Sequence, residues 1–375
     1  MRIFIYSICL SLLTSCDQLK TSQPPPHSVA AIEIADSLEL SIDPNEYFRS
    51  IQNHIIEENG NVYLIRESRM KSSIEIYDWR ARTKSHRITF EGDQASGISN
   101  FGSAAFYPFS QDSILLFDLD GNIFFTSQGF ITDTAPGKKG QRFYGESAYK
   151  PTRIRDHLFV HSTGNYRQEH PQFFDTFAIM KFDLKTRQMA SIPVTYPEPF
   201  KKACWAEHYW YVPFTSNDQG QLVLSFSMDP VIKIFDPNLN RVVATHHVAS
   251  TLVEKIEPLP NCQVSDQVYL RHLKGQARYL SLTFDPSKKL YYRLVALPVS
   301  GTTEGKREVE QVQPLSLMVL DQNFELISER KFPAEKYDPR DFFVTTEGLW
   351  ISRNNKNSKD FDYTKLLYDL IQIKT

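Results

Sequence analysis

The chain has 375 residues, a formal charge of −2 and 23% charged side chains, with lysines and arginines scattered among acids. No basic stripe is present for a polyanion to follow, so nucleic acid is excluded as a partner. Aromatic residues at 13%, together with 21 prolines, favour many short strands and turns over helices, and the length is enough for a large core in one closed domain.

The first elements concern targeting. Met1-Arg2 precedes an apolar run over residues 3–13 that is too short to span a bilayer and has the length of a secretory h-region. It ends in Leu13-Thr14-Ser15-Cys16, which is similar to a bacterial lipobox, where the cysteine becomes the lipidated N-terminus. Residues 1–15 are therefore expected to be a lipoprotein signal peptide, residues 16–30 a lipidated flexible tether containing Pro24-Pro25-Pro26, and residues 31–375 the folded domain. Acyl chains on Cys16 bury CH₂ groups at ~0.8 kcal/mol each, which makes the membrane a partner without a transmembrane helix. The alternative is an ordinary signal peptide that happens to contain a cysteine.

Next comes a pattern that repeats. Residues 31–40, AIEIADSLEL, alternate apolar and polar and read as a lone strand that completes the last blade of a ring. The hairpin SSIEIYDWRARTKSHRITF over residues 72–90 then recurs as FAIMKFDLKTRQMASIPV (177–194), VIKIFDPNLNRVVATHHV (231–248) and LSLMVLDQNFELISERKF (315–332). One such hairpin cannot bury its apolar face alone, so copies along a chain imply stacked sheets sharing a core. The expected fold is all-β, a single β-propeller closed by the N-terminal strand.

Blade one is expected over residues 48–90, blade two over 101–127, blade three over 157–194, blade four over 209–248, blade five over 279–332 and the last over 341–373. Long loops are expected at residues 134–149, 163–175 and 300–311. Residues 264–272 read as a strand without an assigned blade. Six blades of about 57 residues fit the strand count, whereas seven shorter ones fit the usual repeat period, so six is the expectation and seven the alternative.

The lipobox, the SIEIYD hairpin followed by Glu91-Gly92, Asp112-Ser113-Ile114, the segment Phe284-Asp285-Pro286 to Tyr291-Tyr292-Arg293, Leu320-Asp321 and Glu347-Gly348-Leu349 occur in this order. Together they resemble the Bacteroidota lipoproteins grouped as domain of unknown function 4221, from about Tyr47 onward. The resemblance implies an envelope lipoprotein with a TolB-like propeller, makes the outer membrane the preferred location, and implies no activity.

Catalytic motifs are sparse. The sequence holds no GxSxG, HExxH, Walker loop, GxGxxG or CxxC, and no cofactor or metal is expected. Asp118-Leu119-Asp120-Gly121-Asn122 has clustered carboxylates but lacks the glycine and closing glutamate of a calcium loop, so it reads as a hairpin turn. His246-His247 point to opposite faces of a strand and cannot share an ion, while His157, His161, His170 and His208 are open to convergence in space.

The aromatic run WAEHYWYVPF (205–214) supplies Trp205, His208, Tyr209 and Trp210 as candidate ligand contacts, against the reading of a buried blade strand with Tyr209 and Tyr211 on one face. Tyr292 and Arg293 are candidates because an arginine on an apolar strand needs either an anionic ligand or a structural partner, for which Glu347 is the nominee. Cys204 and Cys262 remain after Cys9 leaves with the signal and Cys16 takes lipid, and in an oxidising compartment they form a possible disulfide, or else two buried thiols. Asp36-Ser37-Leu38, Asp112-Ser113-Ile114 and Asp133-Thr134-Ala135 look like short O-glycosylation triplets. The leading functional expectation is a membrane-anchored module that binds a protein or glycan through the loops of one face. Its rival is a hydrolase or lyase acting on a carbohydrate or lactone in the axial channel, an analogy from architecture alone.

Overall fold

The computed structural model describes residues 30–42, 50–68, 72–90, 97–98, 101–138, 140–164, 173–175, 178–206, 209–299 and 313–374. Six antiparallel sheets form a six-bladed β-propeller, which removes the seven-bladed alternative. After β1 (Ala31–Ser41), blade one is β2 (Asn53–Glu58), β3 (Asn61–Ser68), β4 (Ser73–Asp78) and β5 (Thr83–Thr89). Blade two is β6 (Ala105–Pro108), β7 (Ser113–Phe117), β8 (Ile123–Ser127) and β9 (Phe130–Ala135). Blade three holds β10 (Gln141–Tyr144), β11 (Thr152–Ile154), β12 (His157–Gly164), β13 (Ile179–Asp183) and β14 (Met189–Ser191).

Blade four is β15 (Phe214–Ser216), β16 (Leu222–Phe226), β17 (Asp229–Asp236) and β18 (Arg241–His247), and blade five is β19 (Arg278–Asp285), β20 (Leu290–Ala296), β21 (Leu315–Leu320) and β22 (Leu326–Phe332). Blade six is β23 (Asp338–Thr345), β24 (Gly348–Ser352) and β25 (Lys365–Lys374), completed by β1 as its outermost strand. The lone N-terminal strand thus closes the ring, pairing Ala31 with Lys374 through Ser41 with Lys365. Its alternation explains the fit: Leu38 and Leu40 face inward at 1% exposure, while Asp36, Ser37 and Glu39 face water.

The core lies between blades. On β3, Leu64 packs toward blade six beside Phe343, Trp350 and Tyr368, whereas Ile65 packs toward blade two beside Phe106 and Leu116. The same period of two on each central strand buries both faces, as a stack of sheets requires.

The repeated hairpin has a physical signature in its aspartate. Asp183 Oδ1 accepts from the backbone N–H groups of Lys185 and Thr186, Asp236 from Asn238 and Leu239, Asp285 from Ser287 and Lys288, and Asp321 from Asn323 and Glu325. Each carboxylate closes the turn that follows its strand. Asp118 does the same for Asp120 and Asn122, so the segment with clustered carboxylates is a hairpin turn.

Three expectations are corrected. Residues 264–272 are not a strand: helix α1 (Asp266–Gly275) runs there, N-capped by Ser265, whose hydroxyl accepts from the Val268 N–H, and it lies in the chain between blades four and five. The run 209–214 is not a blade strand either, because β15 begins only at Phe214, after Pro213. Residues 134–149 contain the end of β9 and all of β10 rather than one open loop. The expected loop at 300–311 lies outside the described residues, as does most of that at 163–175.

Candidate binding site

Each blade turns its first strand toward the axis, where β2, β6, β15, β19 and β23 meet their neighbours. Blade three differs: β10 pairs with the second half of β12 and β11 with the first half, so its inner edge is two short strands with a gap between them. The chain that joins them, residues 145–151, leaves the sheet and crosses the axis. The Ser147 N–H donates to Ile51 O, Ser147 Oγ accepts from the Asn53 N–H at 3.2 Å, and Lys150 Nζ donates to Asn53 O at 2.8 Å, all on the blade-one side. Opposite, the Phe214 N–H of blade four donates to Ala148 O at 3.1 Å. Gly145 is required for this passage, since a Cβ there would stand 1.8 Å from Gln52 Oε1 and 2.8 Å from the Ala105 Cα.

A pocket opens beside the crossing segment, lined by Glu146, Ala148 and Tyr149 from that segment, Tyr211 and Ser227 from blade four, Arg278 and Leu280 from β19, and Pro339 and Arg340 from β23. It encloses about 50 Å³, room for a few waters or one small end group. The Tyr149 and Tyr211 rings stack at 4.7 Å with planes 12° apart. Burial first, then the Glu146 charge and the Tyr211 hydroxyl, push the Tyr149 phenol well above its ordinary value, so it stays a neutral donor. Arg278 donates to Gln313 Oε1 at 2.9 Å and lies over the Tyr209 ring, while Arg340 is held by Asp338 at 3.3 Å. Such a pocket presents guanidinium and phenol donors around one carboxylate and a flat aromatic wall, a set suited to holding a polar group by hydrogen bonds.

The blade-one side of the axis is polar. Gln52 Nε2 lies 2.9 Å from His54 Nε2, and Asn53 Nδ2 donates to Asp341 Oδ1 at 2.6 Å, which also accepts from the Tyr368 hydroxyl at 3.0 Å. Burial, with the Lys150 charge, holds His54 well below the usual imidazole value and keeps it neutral. Burial alone pushes the Lys150 ammonium down to about 8.

The candidates drawn from the sequence do not converge. Cys16 and His208 lie outside the described residues. Trp205, Tyr209 and Trp210 are buried in the core: Trp210 packs on Tyr144 and His161 of blade three, whereas Tyr209, its ring 5.6 Å from that of Trp205, donates to Ala277 O just before β19. Tyr292 is buried on β20, its hydroxyl 3.4 Å from Asp285 Oδ2. Arg293 is fully buried in the seam between blades four and five, where it meets Ser225 Oγ and main-chain carbonyls rather than Glu347. Glu347 stands on an exposed turn of blade six, its Oε2 accepting from Trp79 Nε1 at 3.4 Å. Cys204 and Cys262 are joined by a disulfide with Cα atoms 5.0 Å apart, tying the entry to blade four to the segment before α1.

Of the histidines, His157 pairs with Asp183 at 3.3 Å, His246 packs on the Phe324 ring, and His161 sits in an aromatic box of Tyr144, Tyr149, Trp210 and Tyr211. No group of three or more metal-ligating side chains occurs among the described residues. Within the triplets that look like glycosylation sites, Ser37 and Thr134 are exposed on β1 and β9.

The family described as domain of unknown function (DUF4221) matches residues 30–331. The chain belongs to the DUF4221 family. A solved DUF4221 structure from Bacteroides vulgatus ATCC 8482 is similar at 23% identity, TM-score 0.81, covering 93% of this chain and 99% of its own. A second similar structure, from Bacteroides fragilis NCTC 9343, is described as a candidate exported protein and matches at 10% identity, TM-score 0.54, covering 93% and 97%. At these identities the likeness establishes the shared propeller. No curated protein matches this DUF4221 chain. Among the described residues, no helix is long and apolar enough to cross a membrane.

Sequence reasoning missed Glu146, Tyr149, Ser227, Arg278 and Arg340. One signal was available: Arg278 begins the strand RYLSLTFD as the same kind of charged residue on an apolar strand that marked Arg293. The rest come from separate blades and share no local pattern.

Proposed function

We propose that this DUF4221 protein is a lipid-anchored cell-envelope binding module. Residues 1–15 direct export, Cys16 carries the lipid in the outer membrane, residues 16–30 hold the propeller off the surface, and the axial face takes an end group of a protein or glycan partner. The observation that supports the binding reading is the axial pocket, whose lining is contributed by the crossing segment and blades four to six, with Arg340, Glu146 and Tyr211 partly accessible at its mouth. Convergence of polar groups from separate blades into a concave site is how a rigid ring builds a recognition surface.

Capture of envelope protein and glycan fractions by the full chain, compared with Arg340→Gln and Tyr211→Ala, tests it. Selective capture that either substitution reduces by tenfold or more supports the reading. Capture unchanged in both places binding on another face, and release of product from a carbohydrate or lactone would replace it with the enzymatic reading. Anchoring has its own readout: Cys16→Ala is expected to move the protein from the membrane fraction to the soluble one.

A further inference from the structure

Among the described residues, Lys150 is an axial cation that no carboxylate bonds. Its ammonium carries three donors, and among the described residues its single hydrogen bond goes to a main-chain carbonyl, Asn53 O at 2.8 Å. Among the described residues no carboxylate is bonded to it: burial is what lowers its proton affinity, and the titratable neighbour, His54 on β2, is held neutral. Three other cations of the ring differ. Arg66 has Glu75 opposite it across the β3–β4 pair and Asp341 nearby, Arg293 is ringed by acceptors, and Arg340 has Asp338.

Position adds to this. Lys150 belongs to the segment that leaves blade three, and its amine ends against blade one, which is not a neighbouring blade, so it crosses at the axis. The residue is only partly buried, so solvent reaches it. A partly desolvated ammonium with unused donors and no counter-ion is completed by an anion.

We infer that Lys150 is the anchor for a small oxyanion, a carboxylate or a phosphate, borne by the ligand that enters the axial channel. The inference rests on the axial face being the binding face and adds the charge class of what binds there.

The test is thermal denaturation of the full chain with acetate, galacturonate or inorganic phosphate, each against chloride at equal ionic strength. The expected result is a midpoint raised by at least one oxyanion beyond chloride; acetate and galacturonate report a carboxylate ligand, phosphate the other source. Lys150→Met, which keeps the stem and removes the charge, is expected to fold at least as stably without anion and to lose the shift, with affinity down by roughly tenfold or more. Lys150→Arg is expected to retain it. Equal shifts in the parent and Lys150→Met would overturn the inference, as would no shift beyond chloride accompanied by a lowered midpoint in Lys150→Met, which would make the lysine a strut. If Arg340→Gln abolishes partner capture while Lys150→Met leaves it intact, the axial reading stands and the role of Lys150 falls.

Discussion

Arg293 is expected to hold blades four and five together rather than to touch a ligand, and its replacement by methionine tests this. The guanidinium donates to Ser225 Oγ from Nε at 3.1 Å and from Nη2 at 2.8 Å, to Pro230 O at 3.0 Å, to Val248 O at 2.8 Å and to Asp229 O at 3.0 Å. It also lies 3.7 Å from the Tyr279 ring centroid. Burial drives its proton affinity down to about 10, with Tyr279 and Asp229 opposing, so it remains a cation held by dipoles.

Methionine fills a similar volume but leaves Ser225 Oγ and the carbonyls of Asp229 and Val248 without these donors in a dry seam. Each such loss costs about 1–3 kcal/mol, and the cation–π contact adds about 1–2 kcal/mol. Against that stands the desolvation of the cation, which the substitution returns, so a net loss of about 3 kcal/mol is expected. Arg293→Lys cannot reproduce the planar fork and should lose roughly 2 kcal/mol. Urea denaturation followed by tryptophan fluorescence reads both as a lower midpoint with an unchanged slope. Arg293→Met within about 1 kcal/mol of the parent would refute the reasoning, and so would a loss of anion binding at unchanged stability.

Reduction of the Cys204–Cys262 disulfide, or Cys204→Ser, is expected to lower stability by about 4 kcal/mol, the chain-entropy value for its 58-residue separation, measured as the midpoint difference with and without reductant. Leu38→Ala, in the strand that closes the ring, should cost about 3 kcal/mol by cavity formation, and a cost below about 1 kcal/mol would mean that the closure frays. His161 gives a pH dependence: burial holds its folded value at about 3, against a small opposing contribution from the Trp210 backbone, whereas the unfolded value is about 6.5. The unfolded chain takes up this proton first, so the His161 contribution is constant above about pH 6.5 and falls by up to about 1.4 kcal/mol per unit as pH drops toward 3. His161→Phe should remove that part of the acid sensitivity, and equal acid slopes for the two proteins would count against it.

What was legible in the sequence follows from range. The hairpins were readable because a period of two and a turn-closing aspartate are local, and Asp183, Asp236 and Asp321 each mark the end of a strand within a few residues. The closure by residues 31–40 was readable because an unpaired amphipathic strand needs an edge, and the last blade supplies one. Residues 264–272 misled because Val264, Val268 and Tyr269 are residues that suit strands, yet Ser265 followed by Asp266 is a helix start, and Leu270 and Leu273 lie three apart on the face toward the core. Tyr209 and Trp210 misled in the other direction: aromatic density signals burial as readily as recognition, and here the rings fill the space between blades. The pocket itself was illegible because Glu146, Tyr211, Arg278 and Arg340 are brought together only by the turning of the ring.

The distribution of satisfied charge separates structural polarity from functional polarity within this propeller. At the seam between blades six and one, Glu75 accepts from Arg87 at 3.0 Å and Tyr77 at 3.0 Å, stands opposite Arg66, and is held below the usual carboxylate range by that company against its own burial. Asp341, reached by Asn53 and Tyr368, balances the same arginine. Between blades four and five, the seam meets Arg293 with its own carbonyls. Buried charge in these places is closed upon itself, and breaking a partner leaves a cost that no solvent relieves. A ligand offered to such a seam would have to displace bonds already made. At the axis the accounts differ, because the segment that interrupts blade three carries an ammonium to a place where, among the described residues, a carbonyl alone receives it. On the proposed reading the ligand leaves the seams as they are, because the incomplete charge lies at the axis, a direction along which it enters without parting two blades.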